Sequence, residues 1–187
     1  MTASRPRLAV LASGSGTILE AVLARGVPVD LVVSDRACRA LEVAADAGLD
    51  AELVARTTFG AGFDRNAYTE ELVELLATRG TGVVAMAGFM TVLAEPMFDV
   101  YEGRVLNTHP SLLPAFPGAH AVRDALAYGV KVTGCTVHIA TVRMDDGPIL
   151  AQQALAVEPD DTEASLHERI KAVERSLYPA VVEEFLR

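Results

Sequence analysis

The sequence predicts an α/β fold: a mostly parallel, twisted sheet with helices on both faces and an antiparallel portion in the C-terminal half. Three observations carry that prediction. Short apolar runs alternate with amphipathic stretches through the first half, the pattern of strands joined by crossover helices. A glycine-rich loop, Ser13-Gly14-Ser15-Gly16-Thr17, separates the first apolar run from the first amphipathic one. Late in the chain the turn residues Met144-Asp145-Asp146-Gly147-Pro148 divide two strand-like runs, which reads as a hairpin. Such an arrangement is Rossmann-like, and ligands bind outside the carboxyl ends of its strands.

Leu8–Ala12 forms the first strand, and a helix starts at Ile18. Strand, glycine loop and helix together aim free N–H groups and a positive dipole end at an anion. A Walker loop needs Gly-Lys-Ser/Thr, which is absent. The dinucleotide fingerprint needs a third glycine where Leu19 stands, although Asp35, after the second strand (Val29–Val33), sits where a ribose-binding acid belongs. A single phosphate therefore suits the loop better, with a bare turn into a helix as the plain alternative.

Cys38–Ala47 reads as a helix stopped by Gly48, and Ala51–Val54 as a third strand. Thr57–Phe63 is loop-like. Asp64 is an N-cap for a helix to about Thr78, with Leu72, Val73, Leu75 and Leu76 on its buried face. Thr81–Ala87 has the unbroken apolar character of a strand covered on both faces, and Gly88–Leu93 follows it. His120–Tyr128 is a short helix ended by Gly129; Lys131–Val142 and Ile149–Val157 are the strands of the hairpin. The last helix begins at Asp161–Ala164, with an acidic first turn suited to the dipole and an apolar face of Leu166, Ile170, Val173 and Leu177. Pro179 is expected to kink or restart it before Val181–Leu186.

At 187 residues the chain is expected to form one domain, enough to bury roughly 70% of the surface it exposes unfolded. The formal net charge of −9 excludes broad nucleic-acid binding but leaves room for a small anionic ligand held by backbone donors or a few local cations. No apolar stretch is long enough to span a bilayer, and Met1–Arg7 lacks the features of a signal peptide, so the cytoplasm is the expected compartment. Cys38 and Cys135 have neither disulfide-framework nor zinc-site spacing.

The chemistry-bearing stretch is Arg104–Pro114. Val105 and Leu106 end a buried strand, and Pro110 cannot continue a ladder. Asn107 and His109, two apart in extended chain, project to one side. A carboxamide donor beside a group titrating near neutrality suits addition to a carbonyl, where an oxyanion forms and protons move. An Asn-x-His pair that merely caps a loop is the plain alternative.

The run Asn107-Thr108-His109-Pro110-Ser111-Leu112-Leu113-Pro114, followed by Phe116-Pro117-Gly118, resembles the folate-dependent formyltransferases, and the resemblance extends over nearly the whole chain. It implies one formyltransferase domain over 1–187, with a phosphate-binding half at about 1–100 and a folate and catalytic half at about 101–187. The implied reaction moves a formyl group from 10-formyltetrahydrofolate to the amine of glycinamide ribonucleotide, a step of purine biosynthesis, without a metal. Carried over residue by residue, Asn107, His109 and Asp145 become catalytic, with Asp145 orienting His109. Gly16, Thr17, Ile18, Gly88, Pro110 and Glu174 become ribonucleotide contacts. Arg65, Met90, Thr91, Val92 and Leu93, with Asn107, become folate contacts.

The chain departs from the family at Ile18, commonly asparagine, and at Thr91, often arginine, so backbone donors must serve at the first and some ligand contact is weakened at the second. Apart from the resemblance, Arg65 and Glu174 read as surface charges, Met90, Val92 and Leu93 as core, and Asp145 as a hairpin residue. His138 reads as a satisfied structural histidine, and His120 and His167 are given no chemistry. The tRNA-directed relative carries an added C-terminal domain and the folate hydrolase an added N-terminal one. Neither is expected, with the core strand starting by Leu8 and the chain ending at Arg187. A sugar-nucleotide formyltransferase shares Asn, His and Asp, and a non-catalytic folate or nucleotide binder is a further alternative. Small molecules are the expected partners, not nucleic acid or membrane, and the expected state is a monomer or homodimer.

Overall fold

A computed structural model describes residues 5–187; what was read from Met1–Ser4 lies outside them. The chain runs β1 (Arg7–Ala12), α1 (Thr17–Ala24), β2 (Leu31–Ser34), α2 (Arg39–Asp46), β3 (Ala51–Leu53), α3 (Arg65–Thr78), β4 (Thr81–Met86), α4 (Glu95–Val100), β5 (Val105–His109), α5 (Ala121–Tyr128), β6 (Val132–Ile139), β7 (Ile149–Ala156) and α6 (Glu163–Phe185). One sheet holds all the strands in the order β3-β2-β1-β4-β5-β6-β7. Pairing is parallel from β3 to β5 and antiparallel from β5 to β7, as the sequence predicted.

Leu8–Ala12 of β1 and Val83–Met86 of β4 are apolar without interruption because they face helices on both sides. Leu8, Val10 and Ala12 join a core with Ala40 and Ala44 of α2 and Tyr178 and Val182 of α6, while Ala9 and Leu11 join one with Leu72 and Leu76 of α3. That alternation is the period of the pleat. Each fully buried leucine contributes about 1.5–3 kcal/mol relative to exposure. The edge strand β7 is mostly exposed. None of the described helices is long and apolar enough to cross a membrane.

Asp64 caps α3 as expected, its carboxylate accepting the Ala67 N–H at 3.0 Å. Two expectations are corrected. Helix α6 does not restart after Pro179 but runs through it from Glu163 to Phe185, with Pro179 buried. The burial of Tyr178, Pro179 and Val182 together holds the helix across the hydrogen bond that the proline cannot donate. Helix α4 was not foreseen. Its Pro96 sits in the first turn, where a missing N–H costs nothing, and six residues are too few for a legible periodicity.

Candidate active site

The carboxyl ends of β1, β4 and β5 open onto one cleft of about 520 Å³. Its floor is the β5 end with the facing part of β6. Its sides are the glycine loop, the segment Gly88–Leu93, the turn at Val142–Asp145 and one face of α6.

Antiparallel register builds the floor. Asn107 pairs with His138 and His109 with Thr136, and residues opposite each other share a face. Thr136 then straps the loop that follows β5: its hydroxyl donates to the Ser111 carbonyl at 2.7 Å and accepts the Leu113 N–H at 3.0 Å. Gln152 of β7 adds a bond to the Leu113 carbonyl at 2.8 Å. This loop sets the far wall against which His109 rests.

Asp145 reaches the histidines from the hairpin. Its Oδ2 lies 3.4 Å from His109 Nδ1 and its Oδ1 lies 3.7 Å from His138 Nε2, with only 6% of its side chain exposed. The Gly118 N–H donates to Oδ2 at 2.8 Å. Asp145 adopts φ 57, a left-handed conformation sparsely used by residues other than glycine and tolerated best by Asn and Asp. The turn thus pays a conformational cost to aim this carboxylate inward. His109 uses its other nitrogen, Nε2, to donate to the Phe116 carbonyl at 2.9 Å.

His138 is the satisfied, buried strand histidine that the sequence suggested, and the structure adds a place in the cleft. It touches both Asn107 and Asp145. Its Nδ1 faces the Ile139 carbonyl at 3.0 Å, which assigns the proton to that nitrogen and leaves Nε2 to accept from Asn107 Nδ2 at 3.3 Å. Burial is the largest influence on the ring and holds its pKa below the ordinary histidine value; His109 adds to that, and the Ile139 carbonyl and Asp145 oppose it. A neutral imidazole thereby orients the Asn107 carboxamide. The β5–β6 register would have revealed this, and register is not legible from one strand alone.

The glycine loop works through backbone. Gly16 caps α1 at φ 73, and a Cβ there would lie 3.0 Å from Ala40 Cα. The first helical bond is Glu20 N–H to the Gly16 carbonyl at 2.8 Å, so the amides of Thr17, Ile18 and Leu19 have no intrahelical partner. Ile18 packs its side chain into the core, leaving only its backbone for the cleft. Arg39 of α2 braces the loop by donating to the Ser15 carbonyl at 2.6 Å.

Across from the loop, His167, Lys171 and Glu174 of α6 line the cleft, each one turn from the next. Lys171 supplies a cation and pairs with Glu168 at 2.8 Å. Burial pushes the Glu174 carboxyl above the ordinary range, against the Thr108 hydroxyl and the Lys171 and Arg175 charges. Burial likewise lowers His167, with Lys171 adding to the effect. Neither His167 nor Lys171 was singled out from the sequence, since i, i+4 spacing on a polar helix face is also the pattern of solvated charge.

The apolar side of the cleft presents Met90 and Val92, 66% and 44% exposed, with Leu93 and Phe89 beneath them. Thr91 between them is 1% exposed and gives its hydroxyl to Asp35. Gly88 and Pro110 also border the cleft. Arg65 does not: it sits exposed at the start of α3. Asp35 is buried and fully engaged, which removes it as a ribose ligand for a dinucleotide. Among the described residues no group of three or more His, Cys, Asp or Glu side chains could hold a metal ion.

A carboxamide, a carboxylate-paired imidazole, an anion-ready loop and an apolar wall around one void define a transferase acting at a carbonyl carbon. Residues 6–182 match the family described as formyl transferase, and the chain belongs to that family. A phosphoribosylglycinamide formyltransferase of Mycobacterium tuberculosis is 46% identical over 181 residues, covering 94% of this chain and 83% of the relative. The human trifunctional purine biosynthetic protein adenosine-3 is 36% identical over 96% of this chain, which spans 18% of that protein. Among solved structures, glycinamide ribonucleotide transformylase 1 from Symbiobacterium toebii superposes with a TM-score of 0.90 at 43% identity, over 97% of this chain and 88% of that one.

Proposed function

We propose that this chain transfers the formyl group of 10-formyltetrahydrofolate to the amine of glycinamide ribonucleotide. The observation that carries the reading is the convergence of Asn107, His109 and Asp145 on a cleft flanked by the glycine loop on one side and Met90–Leu93 on the other. The relatives named for this reaction, at up to 46% identity, support the choice of substrate.

In this reading the ribonucleotide's phosphate lies against the amides of Gly16, Thr17 and Ile18, with Lys171 completing the charge balance. Glu174, Gly88 and Pro110 border the ribose and glycinamide. The folate's ring system packs on Met90, Val92 and Leu93. Arg65 reaches the folate only if its glutamyl end extends past the rim to the start of α3.

The amine attacks the formyl carbon to give a tetrahedral intermediate. Asn107 Nδ2 and protonated His109 donate to its oxyanion, a single good donor being worth on the order of 3 kcal/mol. Both nitrogens of His109 are occupied here. His109 therefore exchanges the Phe116 carbonyl for the reacting group, or acts through a water, giving its Nε2 proton to the departing folate nitrogen and then taking up the proton lost by the attacking nitrogen. Asp145 holds the ring throughout. We read residues 1–187 as one functional unit, the half at about 1–100 supplying phosphate donors and the half at about 101–187 the reacting groups; a single sheet with strands from both halves supports that reading.

The test is an absorbance assay for deformylated folate, run with and without glycinamide ribonucleotide. Product only with the ribonucleotide is expected. Product in its absence would identify a hydrolase, and product only with a sugar-nucleotide amine would reassign the acceptor.

A further inference from the structure

Asp35 lies at the end of β2 with none of its side chain exposed, and it is an acceptor on which several donors converge. Oδ2 accepts from the Thr91 hydroxyl at 2.7 Å and from Arg36 Nη2 at 3.0 Å, and Oδ1 accepts from Arg36 Nε at 2.9 Å. The Ser13 oxygen in turn accepts the Met90 N–H at 2.8 Å, and the Ser13 N–H donates to the Gly88 carbonyl at 3.2 Å. Three strand-end loops are thus joined in series, Asp35 after β2 to Thr91 after β4, and Gly88 and Met90 after β4 to Ser13 after β1. An ionised carboxylate suits the place of Asp35 because it accepts from several donors and donates to none. Burial disfavours the charge, but the bonds from Arg36 and Thr91 help to outweigh it and keep the carboxyl below the ordinary range.

Two of those loops, after the neighbouring strands β1 and β4, are walls of the cleft. With Thr91 pulled inward to Asp35, its neighbours Met90 and Val92 face the cleft. With Ser13 bonded to Met90 and Gly88, the start of the glycine loop is fixed relative to them.

We propose that Asp35 is a positioning residue for both substrates, holding through Thr91 the apolar wall at Met90–Leu93, to which Ser13 at the start of the glycine loop is bonded in turn. The inference rests on the formyltransferase reading above. Asp35 touches no reacting atom, so its loss weakens binding rather than chemistry.

The experiment compares Asp35→Ala, Thr91→Val, Thr91→Ser and the Asp35→Ala/Thr91→Val double variant. Steady-state rates are measured with each substrate varied, and binding of 5-formyltetrahydrofolate is measured by calorimetry without ribonucleotide. Asp35→Ala is expected to raise KM for both substrates roughly tenfold, as loss of a hydrogen bond to a charged group predicts, while kcat stays within about threefold. Thr91→Val raises the folate KM, Thr91→Ser recovers most of that loss, and the double variant binds folate no worse than Asp35→Ala alone. A lowered melting temperature with both KM values unchanged would overturn the proposal, leaving Asp35 a brace for stability only. A fall in kcat at constant KM would overturn it as well. If Asp35→Ala does not fold, equal folate KM values for Thr91→Val and Thr91→Ser would refute it and unequal ones support it. A parent that formylates no ribonucleotide would sink the functional reading instead, and the calorimetric comparison still decides the role of Asp35.

Discussion

The two sides of the cleft are built by different means. The glycine loop after β1 offers amides of the main chain, directed by Gly16 at φ 73 and the helix behind it. The end of β5 offers side chains, placed by antiparallel register and by the left-handed Asp145. A backbone site binds anions with little dependence on which side chains surround it, so Ile18 can be core without closing the loop to a phosphate. A side-chain site tolerates no such exchange. The parallel part of the sheet should therefore respond to substitution through binding and stability, and the antiparallel part through turnover.

The largest effect expected is on the side-chain site. His109→Ala should lower turnover by about 10²–10⁴-fold, the range for a lost general acid or base, while folate binding measured by fluorescence persists. A turnover within a few-fold of the parent would erase the contrast between the two sides. Asp145→Asn keeps the shape but not the charge, and its Gly118 contact can survive through the amide oxygen; kcat should fall by about 10²-fold with KM little changed.

On the backbone side, Gly16→Ala forces a Cβ to within 3.0 Å of Ala40 Cα in a left-handed conformation. The cost is about 1–2 kcal/mol, read as a melting temperature lowered by a few degrees, with the ribonucleotide KM raised and kcat nearly constant. A kcat loss as large as that of His109→Ala would show that the loop takes part in chemistry.

The smallest expected effect is a pH dependence. His138 has a folded pKa below its unfolded value of about 6.5, so the unfolded chain binds protons more readily and stability falls as pH drops through that value. His167 acts in the same sense, and Glu174, raised by burial, in the opposite one. Replacing His138 with Gln removes its share. The parent's loss of melting temperature between pH 7.5 and 5.5 should exceed the variant's, and equal losses would mean that the ring is not held neutral.

What the sequence revealed divides along the same line. Continuous apolar runs such as Leu8–Ala12 and Thr81–Ala87, the glycine loop and the Asp64 cap are local features, and the structure reproduces them. Asn107 and His109 share a face because they are two apart in one strand. His138, His167 and Lys171 enter the cleft through cross-strand register and helix packing, which connect residues distant in sequence. Thr91, carried over as a folate contact, and Asp35, 56 positions away, bond to each other, a pairing no local pattern shows. Continuity of α6 through Pro179 likewise follows from tertiary burial overriding a local preference.

The central claim is that His109 and Asp145 act as one device rather than as two independent contributors. The direct measurement is kcat for His109→Ala, Asp145→Asn and the double variant under saturating folate and ribonucleotide. If Asp145 works by holding the imidazole, the double variant turns over about as slowly as His109→Ala alone. Losses that multiply would contradict the account, since each group would then be acting on the substrate by itself.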